Sequence, residues 1–474
     1  MNKRVFSILS GPLLFALILL IPAPEFIGTA GWKVLAVALW MITWWVLETV
    51  SAPATALLPI ILFPVLGIFS VQEVCTPYGS SPIFLFMGGF MIAMAMEKWN
   101  LHKRIALNMI RLTGTDARGI ILGFMLATAL LSMWISNTAT TVMMLAIVQP
   151  TMRLLFEQSN ETEEQKNKFA LCLMLGIGYA ASIGGIATII GTPPNVVMVG
   201  IMQKMTGIEV SFFKWMLVCT PLMLLLLWFC YLLLTRWLYP FTIRRFNHSN
   251  ELIMDELKRI GSMNSQERMV AFIFSFTALL WILNQPLRSI PALRFLDDTS
   301  IAMIGGLLLF IIPVKGKSLL HWEDTKNLHW GILLLFGGGL ALAKAMEHTG
   351  VIHLIAHLAN SFQHINMYVL IIILTAISIT ITEVMSNVAL ATIMVPVVIG
   401  IANGIGANPV LFALPVALGT SFAFMMPIST PPNAIVYATG YIRMKEMIKA
   451  GFWLDIIGFV LLSIFVVTLF EWVF

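Results

Sequence analysis

Two polar tripeptides stand in apolar surroundings. Ser136-Asn137-Thr138 follows Leu131-Ser-Met-Trp-Ile135 and leads into Ala139-Thr-Thr-Val-Met-Met-Leu145. Ser386-Asn387-Val388 follows Thr382-Glu-Val-Met385 and leads into Ala389-Leu-Ala-Thr-Ile-Met394. Each interrupts one long apolar stretch, 119–150 and 367–402. That length suits two short arms joined by a tip. Polar backbone at membrane depth is tolerated only inside protein or against a water-filled cavity. Serine and asparagine stop one helix and cap the next. Such a tip offers carbonyl and side-chain oxygens to sodium, a hard cation that prefers oxygen ligands. It also offers free N–H groups at a helix start to a carboxylate. Asn137 and Asn387 are thus placed to serve an ion and a substrate at once. The same residues can also simply bond helix to helix, at about 0.6 kcal/mol per contact.

A second pair of elements follows the tips. Gly191-Thr192-Pro193-Pro194-Asn195 has its partner in Ser429-Thr430-Pro431-Pro432-Asn433. Two prolines inside a span remove backbone donors and leave upstream carbonyls without intrahelical partners. Near a hairpin tip those carbonyls complete a cation site; alone, a Pro-Pro pair is also a plain kink. The two pairings predict two sodium sites. Ser132, Ser136, Asn137 and Gly191 form the first; Thr382, Ser386, Asn387 and Ser429 form the second. Thr138, Thr430 and Pro431 then lie toward the substrate, with Val388 in the second tip at the place of Thr138.

The elements that position these residues recur. Phe86-Met-Gly-Gly-Phe-Met-Ile-Ala-Met-Ala-Met-Glu97 aligns with Phe336-Gly-Gly-Gly-Leu-Ala-Leu-Ala-Lys-Ala-Met-Glu347 at an offset of 250, which also superimposes the two tips. The Thr-Pro-Pro-Asn segments match at an offset of 238. The difference corresponds to a charged connector near 157–168 that the second half lacks. The expected organisation is one transporter unit over 1–474. Its halves are 1–240 and 266–474, with re-entrant hairpins 119–150 and 367–402 and a cytoplasmic linker over 241–265.

Composition sets the solvent. Hydrophobic residues make up 59% of the 474 and charged residues 11%, against about 25% charged in soluble domains. Mean hydropathy is +0.91. Spans are expected near 10–29, 32–50, 52–69, 82–97, 168–199, 213–239, 268–286, 299–314, 330–345, 410–440 and 450–473. The opening Met-Asn-Lys-Arg and the apolar run after it read as a retained first span. With the N-terminus cytoplasmic, 22 of the 28 lysines and arginines fall at Lys3, Arg4 and in the loops 98–118, 151–168, 236–268, 315–327 and 441–449. Lys33, Lys204, Lys214, Arg288, Arg294 and Lys344 fall outside. This asymmetry fits the positive-inside rule for eleven crossings, provided both hairpins enter and leave on one side. The first-half span 82–97 and its repeat 330–345 then run in opposite directions. Inverted repeats of this kind place a substrate site at the midplane, where broken helices meet. The expected class is an all-α polytopic inner-membrane protein.

Other residues carry less. Lys344 is expected to snorkel to an interface. Glu383 either acts on the second site or pairs locally. His353 and His357, with His348 and His364 nearby, suit a wet interfacial helix. The four cysteines, 75, 172, 219 and 230, show no ligand spacing and are expected in the apolar core. No HExxH, GxSxG or Walker motif is present, so hydrolase and ATPase readings gain nothing, and no cofactor is expected. An ion channel and an intramembrane enzyme are the readings of other classes; the enzyme lacks a water-activating metal or dyad. No basic cluster is buried to clamp a dianion. Bound sodium ions and helix N-termini supply the positive charge instead.

Taken together, the paired Ser-Asn-Thr-type tips and paired Thr-Pro-Pro-Asn segments resemble the divalent anion:sodium symporter family over the whole chain. The resemblance implies a homodimer, an elevator motion and C4-dicarboxylates such as succinate, malate or fumarate as substrate. It implies sodium contacts at Ser132, Ser136, Asn137, Gly191, Thr382, Ser386 and Asn387. It implies substrate contacts at Asn137, Thr138, Asn387, Thr430 and Pro431. Val388 departs from the pattern by lacking a hydroxyl. The family also holds sodium-independent exchangers and members that take sulfate or citrate.

Overall fold

The computed structural model describes residues 3–47, 49–114, 116–157, 159, 161–244, 258–359 and 365–474. The N-terminal part runs through α1 (Lys3–Leu20), α2 (Gly28–Val46), α3 (Ala52–Thr55), α4 (Leu58–Val65) and α5 (Val71–Cys75). The first half continues through α6 (Ser81–Lys98), α7 (Leu101–Thr113), α8 (Ala117–Ser132), α9 (Asn137–Glu157), α10 (Glu163–Gly185), α11 (Pro193–Thr206) and α12 (Phe212–Leu232). The second half contains α13 (Ser265–Ile282), α14 (Asp298–Ile311), α15 (Trp330–His348), α16 (Val351–Ala359), α17 (Met367–Thr382) and α18 (Asn387–Gly404). It ends in α19 (Pro409–Gly419), α20 (Pro431–Tyr437) and α21 (Met444–Phe465). The strand pairing among the described residues is one two-residue ladder, Pro313–Val314 with Lys317–Ser318. Its turn needs positive φ at Lys315 (54°) and Gly316 (78°), the geometry that closes a tight hairpin.

Eight helices of the described residues are long and apolar enough to cross a membrane. The chain is a multi-pass membrane protein. Most expected spans appear within a few residues of their reading. The first, 10–29, is instead helical over Lys3–Leu20, ending before Pro22 and Pro24, and 168–199 and 410–440 are each broken in two; three further differences follow. The stretch 52–69 is not one helix: Pro53 and Pro59 confine it to α3 and α4. Together these reach only to Val65, about 21 Å at 1.5 Å per residue, short of the roughly 30 Å hydrocarbon core. The stretch 299–314 is helical only over Asp298–Ile311. The second hairpin arms are longer than expected, and Asn137–Glu157 and Asn387–Gly404 each have spanning length. The first of these outlasts its apolar stretch because its end is solvated, with Arg153 and Glu157 paired at 3.1 Å one turn apart.

Helix α10 is central and buried without a break from Phe169 to Gly185, whereas most of the helical run Met444–Val473 is not buried. Small residues explain this. Gly184 faces the Ala129 backbone of α8, where a Cβ would collide with it. Close approach through small residues is how helices associate in lipid, where apolar burial gives no drive. The peripheral helices instead present Leu13, Leu17, Phe272, Phe276 and Val460 outward.

The charges sort by end. Lys98 pairs with Asp324 at 2.6 Å. Arg104 forks onto Glu267 at 2.5 and 3.0 Å and donates to the Gly261 carbonyl at 2.9 Å. All these groups lie in loops read as one side. Arg288 pairs with Glu209 at 3.2 Å, and both belong to the opposite set. Lys344 reaches the Glu73 carbonyl at 2.9 Å across the Phe69 ring, so its head group is spent on backbone and an aromatic face. Glu267→Ala strips the one anion from a forked arginine beside a buried position. It is expected to cost on the order of 2 kcal/mol, read as a lower thermal midpoint in detergent; an unchanged midpoint refutes the contribution.

Cys172, Cys219 and Cys230 are buried as expected, but Cys75 is exposed at the end of α5, in a short helix too small to bury both faces. His357 is exposed on α16 and no metal-binding cluster of His, Cys, Asp or Glu exists among the described residues. His364 and linker residues 245–257 lie outside the described residues.

Candidate ion and substrate site

Both tips fold alike. Helix α8 ends at Ser132, four residues turn, and α9 starts at Asn137; α17 ends at Thr382, four residues turn, and α18 starts at Asn387. Behind each tip lies a broken helix. The chain between α10 and α11 unwinds over 186–192, and that between α19 and α20 over 420–430. Thr192 and Thr430 precede the proline pairs with matching backbone, φ −139°, ψ 143° and φ −140°, ψ 147°. Proline at the first helical position accepts this because its missing N–H would be unpaired there anyway.

A buried asparagine pins each break. Asn195 Nδ2 donates to the carbonyls of Gly185 (3.2 Å) and Thr188 (2.8 Å). Asn433 Nδ2 donates to those of Ala423 (2.9 Å) and Met426 (3.1 Å). The acceptors stand ten and seven residues back in both halves. The sequence reading quoted these asparagines inside the duplicated motif without giving them this role.

At the first tip, Ser132 Oγ lies 2.7 Å from Asn137 Oδ1 and 2.7 Å from the Ala181 carbonyl. The Asn137 amide also faces the carbonyls of Gly191 and Ala181, each at 3.2 Å, and turned over its nitrogen would donate to both. At the second, Thr382 Oγ1 lies 2.9 Å from Asn387 Oδ1 and 2.6 Å from the Thr420 carbonyl. In the second cluster one hydroxyl proton stands against two acceptor oxygens, so lone pairs outnumber hydrogens, which a bound cation corrects. In the first the same holds only with the Asn137 oxygen inward; the turned-over amide supplies the missing donors itself. The carbonyl-bearing C-termini of α8 and α10 add negative potential at the first cluster, and those of α17 and α19 at the second. This donor set fits sodium.

The predicted residues divide accordingly. Ser132, Asn137 and Gly191 meet, as do Thr382 and Asn387. Ser136 turns its hydroxyl to cap α9 at Ala139 N (3.3 Å). Ser386 is the N-cap of α18 without a side-chain cap bond. Ser429 turns its hydroxyl to Glu383, at 2.7 Å from the carbonyl and 2.9 Å from the carboxylate. Thr430 caps Asn433 N at 3.4 Å, and Pro431, at the start of α20, is exposed. Thr138 and Val388 are half-buried at the starts of α9 and α18. The halves interlock, since α9 packs on α20 and α18 on α11.

A cavity of about 260 Å³ reaches the first tip, lined by Glu97, Lys98, Ser136, Ala139 and His329 among others. Burial holds the His329 imidazole below its usual range, with Glu97 opposing. The histidine is therefore an uncharged part of the wall at neutral pH.

A family model described as the sodium:sulfate symporter transmembrane region matches residues 3–474. The chain belongs to this family of divalent anion:sodium symporters. Among its relatives is the sodium-dependent dicarboxylate transporter SdcS of Staphylococcus saprophyticus, 38% identical over 98% of this chain and 91% of that protein. The protein of the same name from Staphylococcus aureus strain USA300 is 39% identical over 98% of this chain and 90% of its own. Among solved structures, the Alcanivorax borkumensis YdaH transporter matches with a TM-score of 0.57 at 13% identity, covering 98% of this chain and 95% of that one. Neisseria gonorrhoeae MtrF matches with a TM-score of 0.57 at 13% identity, covering 98% and 94%. These two likenesses concern the fold. The family and these relatives are transporters, not enzymes.

Proposed function

We propose that this chain carries a C4-dicarboxylate such as succinate, malate or fumarate across the inner membrane together with sodium. The observation that carries the reading is the oxygen cluster built twice, around Asn137 and around Asn387, and donor-poor at Asn387. The names of the staphylococcal relatives support both the ion and the substrate class.

One sodium sits at each cluster. Ser132, Ser136, Asn137 and Gly191 serve the first, and Thr382, Ser386, Asn387 and Ser429 the second. Ser136 and Ser429 contribute through backbone carbonyls, since their hydroxyls are spent elsewhere. The dianion lies between the tips, met by Asn137, Thr138, Asn387, Thr430 and Pro431, with Val388 closing the wall by apolar contact. The N-terminal ends of α9 and α18 add positive potential. Coupling follows from charge: an empty sodium site leaves the dianion poorly neutralised in a low dielectric. The two halves, 1–240 and 266–474, act as inverted repeats, with the N-terminus cytoplasmic. The cavity at Lys98 and His329 is the inner mouth. A homodimer supports an elevator motion of the tip-bearing helices.

The test is labelled succinate uptake into proteoliposomes, with and without an inward sodium gradient, and with succinate or buffer inside. Sodium-driven uptake into empty vesicles is expected. Uptake that needs internal succinate and ignores sodium would identify an exchanger and overturn the coupling. A binding measurement accompanies it. Sodium and succinate together are expected to raise the thermal midpoint more than the sum of each alone, because a ligand at 100 times its Kd stabilises by about 2.7 kcal/mol. Purely additive shifts would refute shared sites.

A further inference from the structure

The first tip rests on aromatic rings, and the second does not. Trp134, two residues before Ser136, is half-buried. Its ring stacks on that of Trp281, at the end of α13, at 6.1 Å and 12°, and on that of Phe212, at the start of α12, at 6.2 Å and 24°. Phe212 and Trp281 stack on each other at 4.5 Å and 15°. Phe274 meets the Trp134 ring edge-on at 5.0 Å. Both Phe212 and Trp281 are buried. The offset of 250 places Val384 where Trp134 stands, and Val384 is 73% exposed.

Asp298, the first residue of α14, ties two of these rings together. Its Oδ2 accepts from the Phe212 N–H at 2.9 Å, and its carbonyl accepts from Trp281 Nε1 at 3.0 Å. Its Oδ1 accepts from Asn284 Nδ2. The Glu209–Arg288 pair spans the same joint, between the segment that leads into α12 and the one that leaves α13. On one side of the rings lies a cavity of about 500 Å³, lined by Gln203, Ser211, Lys214, Asn284 and Asp298 among others. On the other lies the cavity of about 260 Å³ that Ile135 and Ser136 line. Chain connectivity sets the rings between the two. Trp134 adjoins Ile135, Phe212 adjoins Ser211, and Trp281 stands three residues before Asn284.

Both cavities have charged and polar walls. The stacked rings between them give water and ions nothing to bond, the condition under which an apolar constriction closes a path. We propose that the stack of Trp134, Phe212 and Trp281 is a seal that closes the first tip to the cavity at Lys214, and that Asp298 holds it shut. What the seal excludes is the dianion and its sodium ions, so the proposal rests on the reading of the tips given above. Asp298 acts at a distance from the ions: it fixes the two rings against which Trp134 comes to rest. The seal opens when Trp134 and these rings part. The second tip, with Val384 in this place, has no ring to offer such a wall.

Labelling a cysteine beyond the seal tests it without requiring transport. The probe site is Ala139→Cys, on the wall of the cavity at Ser136. The background is Cys75→Ser, since the other three cysteines are buried. Intact cells present one face of the protein to a membrane-impermeant maleimide, and inverted vesicles present the other. Labelling is expected to be faster from the face of Lys98 and His329 than from the face of Glu209 and Arg288. Adding Trp134→Val is expected to raise the slower rate about 10-fold, the scale of losing three ring contacts. Valine already stands at this place in the second tip, so the variant is expected to fold. Trp134→Phe keeps a ring and is expected to stay within about threefold of the parent. Asp298→Ala is expected to raise the slower rate as Trp134→Val does. Equal rates from the two faces overturn the proposal, as does a slower rate that Trp134→Val leaves unchanged. So does Trp134→Phe labelled as fast as Trp134→Val, and Asp298→Ala labelled like the parent refutes the part given to Asp298. If sodium drives no succinate uptake by wild type, the functional reading fails separately, and these rates still decide the seal.

Discussion

Alanine at Asn137 is expected to lower sodium-driven succinate uptake at least ~100-fold, and alanine at Asn387 to do the same. Each amide stands at a helix start beside an oxygen cluster. Truncation removes a ligand from the ion and weakens the frame that presents the helix N-terminus to the dianion. Interactions with charged partners are worth about 1.5–3 kcal/mol each, and two lost together amount to two decades or more. The loss should be specific. Without sodium, the thermal midpoint of Asn137→Ala should match wild type, because the side chain is only half-buried; the shift on adding sodium should vanish. Uptake within threefold of wild type, or an intact sodium shift, would remove Asn137 from the ion site.

Gly185→Ala is expected to raise the sodium requirement of uptake by at least ~10-fold. A Cβ at 185 would land on the Asn137 amide, and one at Gly191 would land on the Gly185 backbone. The first break thus closes on itself so tightly that only hydrogen fits. Asn137 must then rotate or the tip must retreat, and both change the distances among Ser132, Ala181 and Gly191. The second half supplies an internal control. The positions matching 185 and 191 are Ala423 and Ser429, so side chains are already accommodated there. Ala423→Gly should therefore change the sodium dependence less than twofold. Sodium titrations of uptake for both variants decide the matter; equal small effects would mean that the first tip has slack the geometry does not display.

Much of this site is legible in the chain itself, for local reasons. A Ser-Asn pair inside an apolar stretch has to interrupt a helix, and two prolines have to leave carbonyls unpaired, wherever the segment ends up. Their duplication at offsets of 250 and 238 identified Asn137, Asn387 and the two breaks, and Ser132 and Thr382 lie one turn before the tips on helix geometry alone. Composition settled the solvent for a similar reason: with 11% charged residues there is too little polar surface to face water.

Tertiary structure alone decided which oxygens meet. Every residue carries a carbonyl, so residue type holds no sign of Ala181 or Thr420; their selection depends on where α10 and α19 pass the tips. Equally, Ser136 and Ser429 look like ligands by type, yet their hydroxyls are taken by Ala139 N and Glu383. Glu383 was visible as an acid three residues before Ser386, but its task depends on a segment some forty residues downstream. Those partners are adjacent only in space. A buried carboxylate takes its character from the donors that converge on it, and convergence is a property of the packed helices, not of any stretch of sequence.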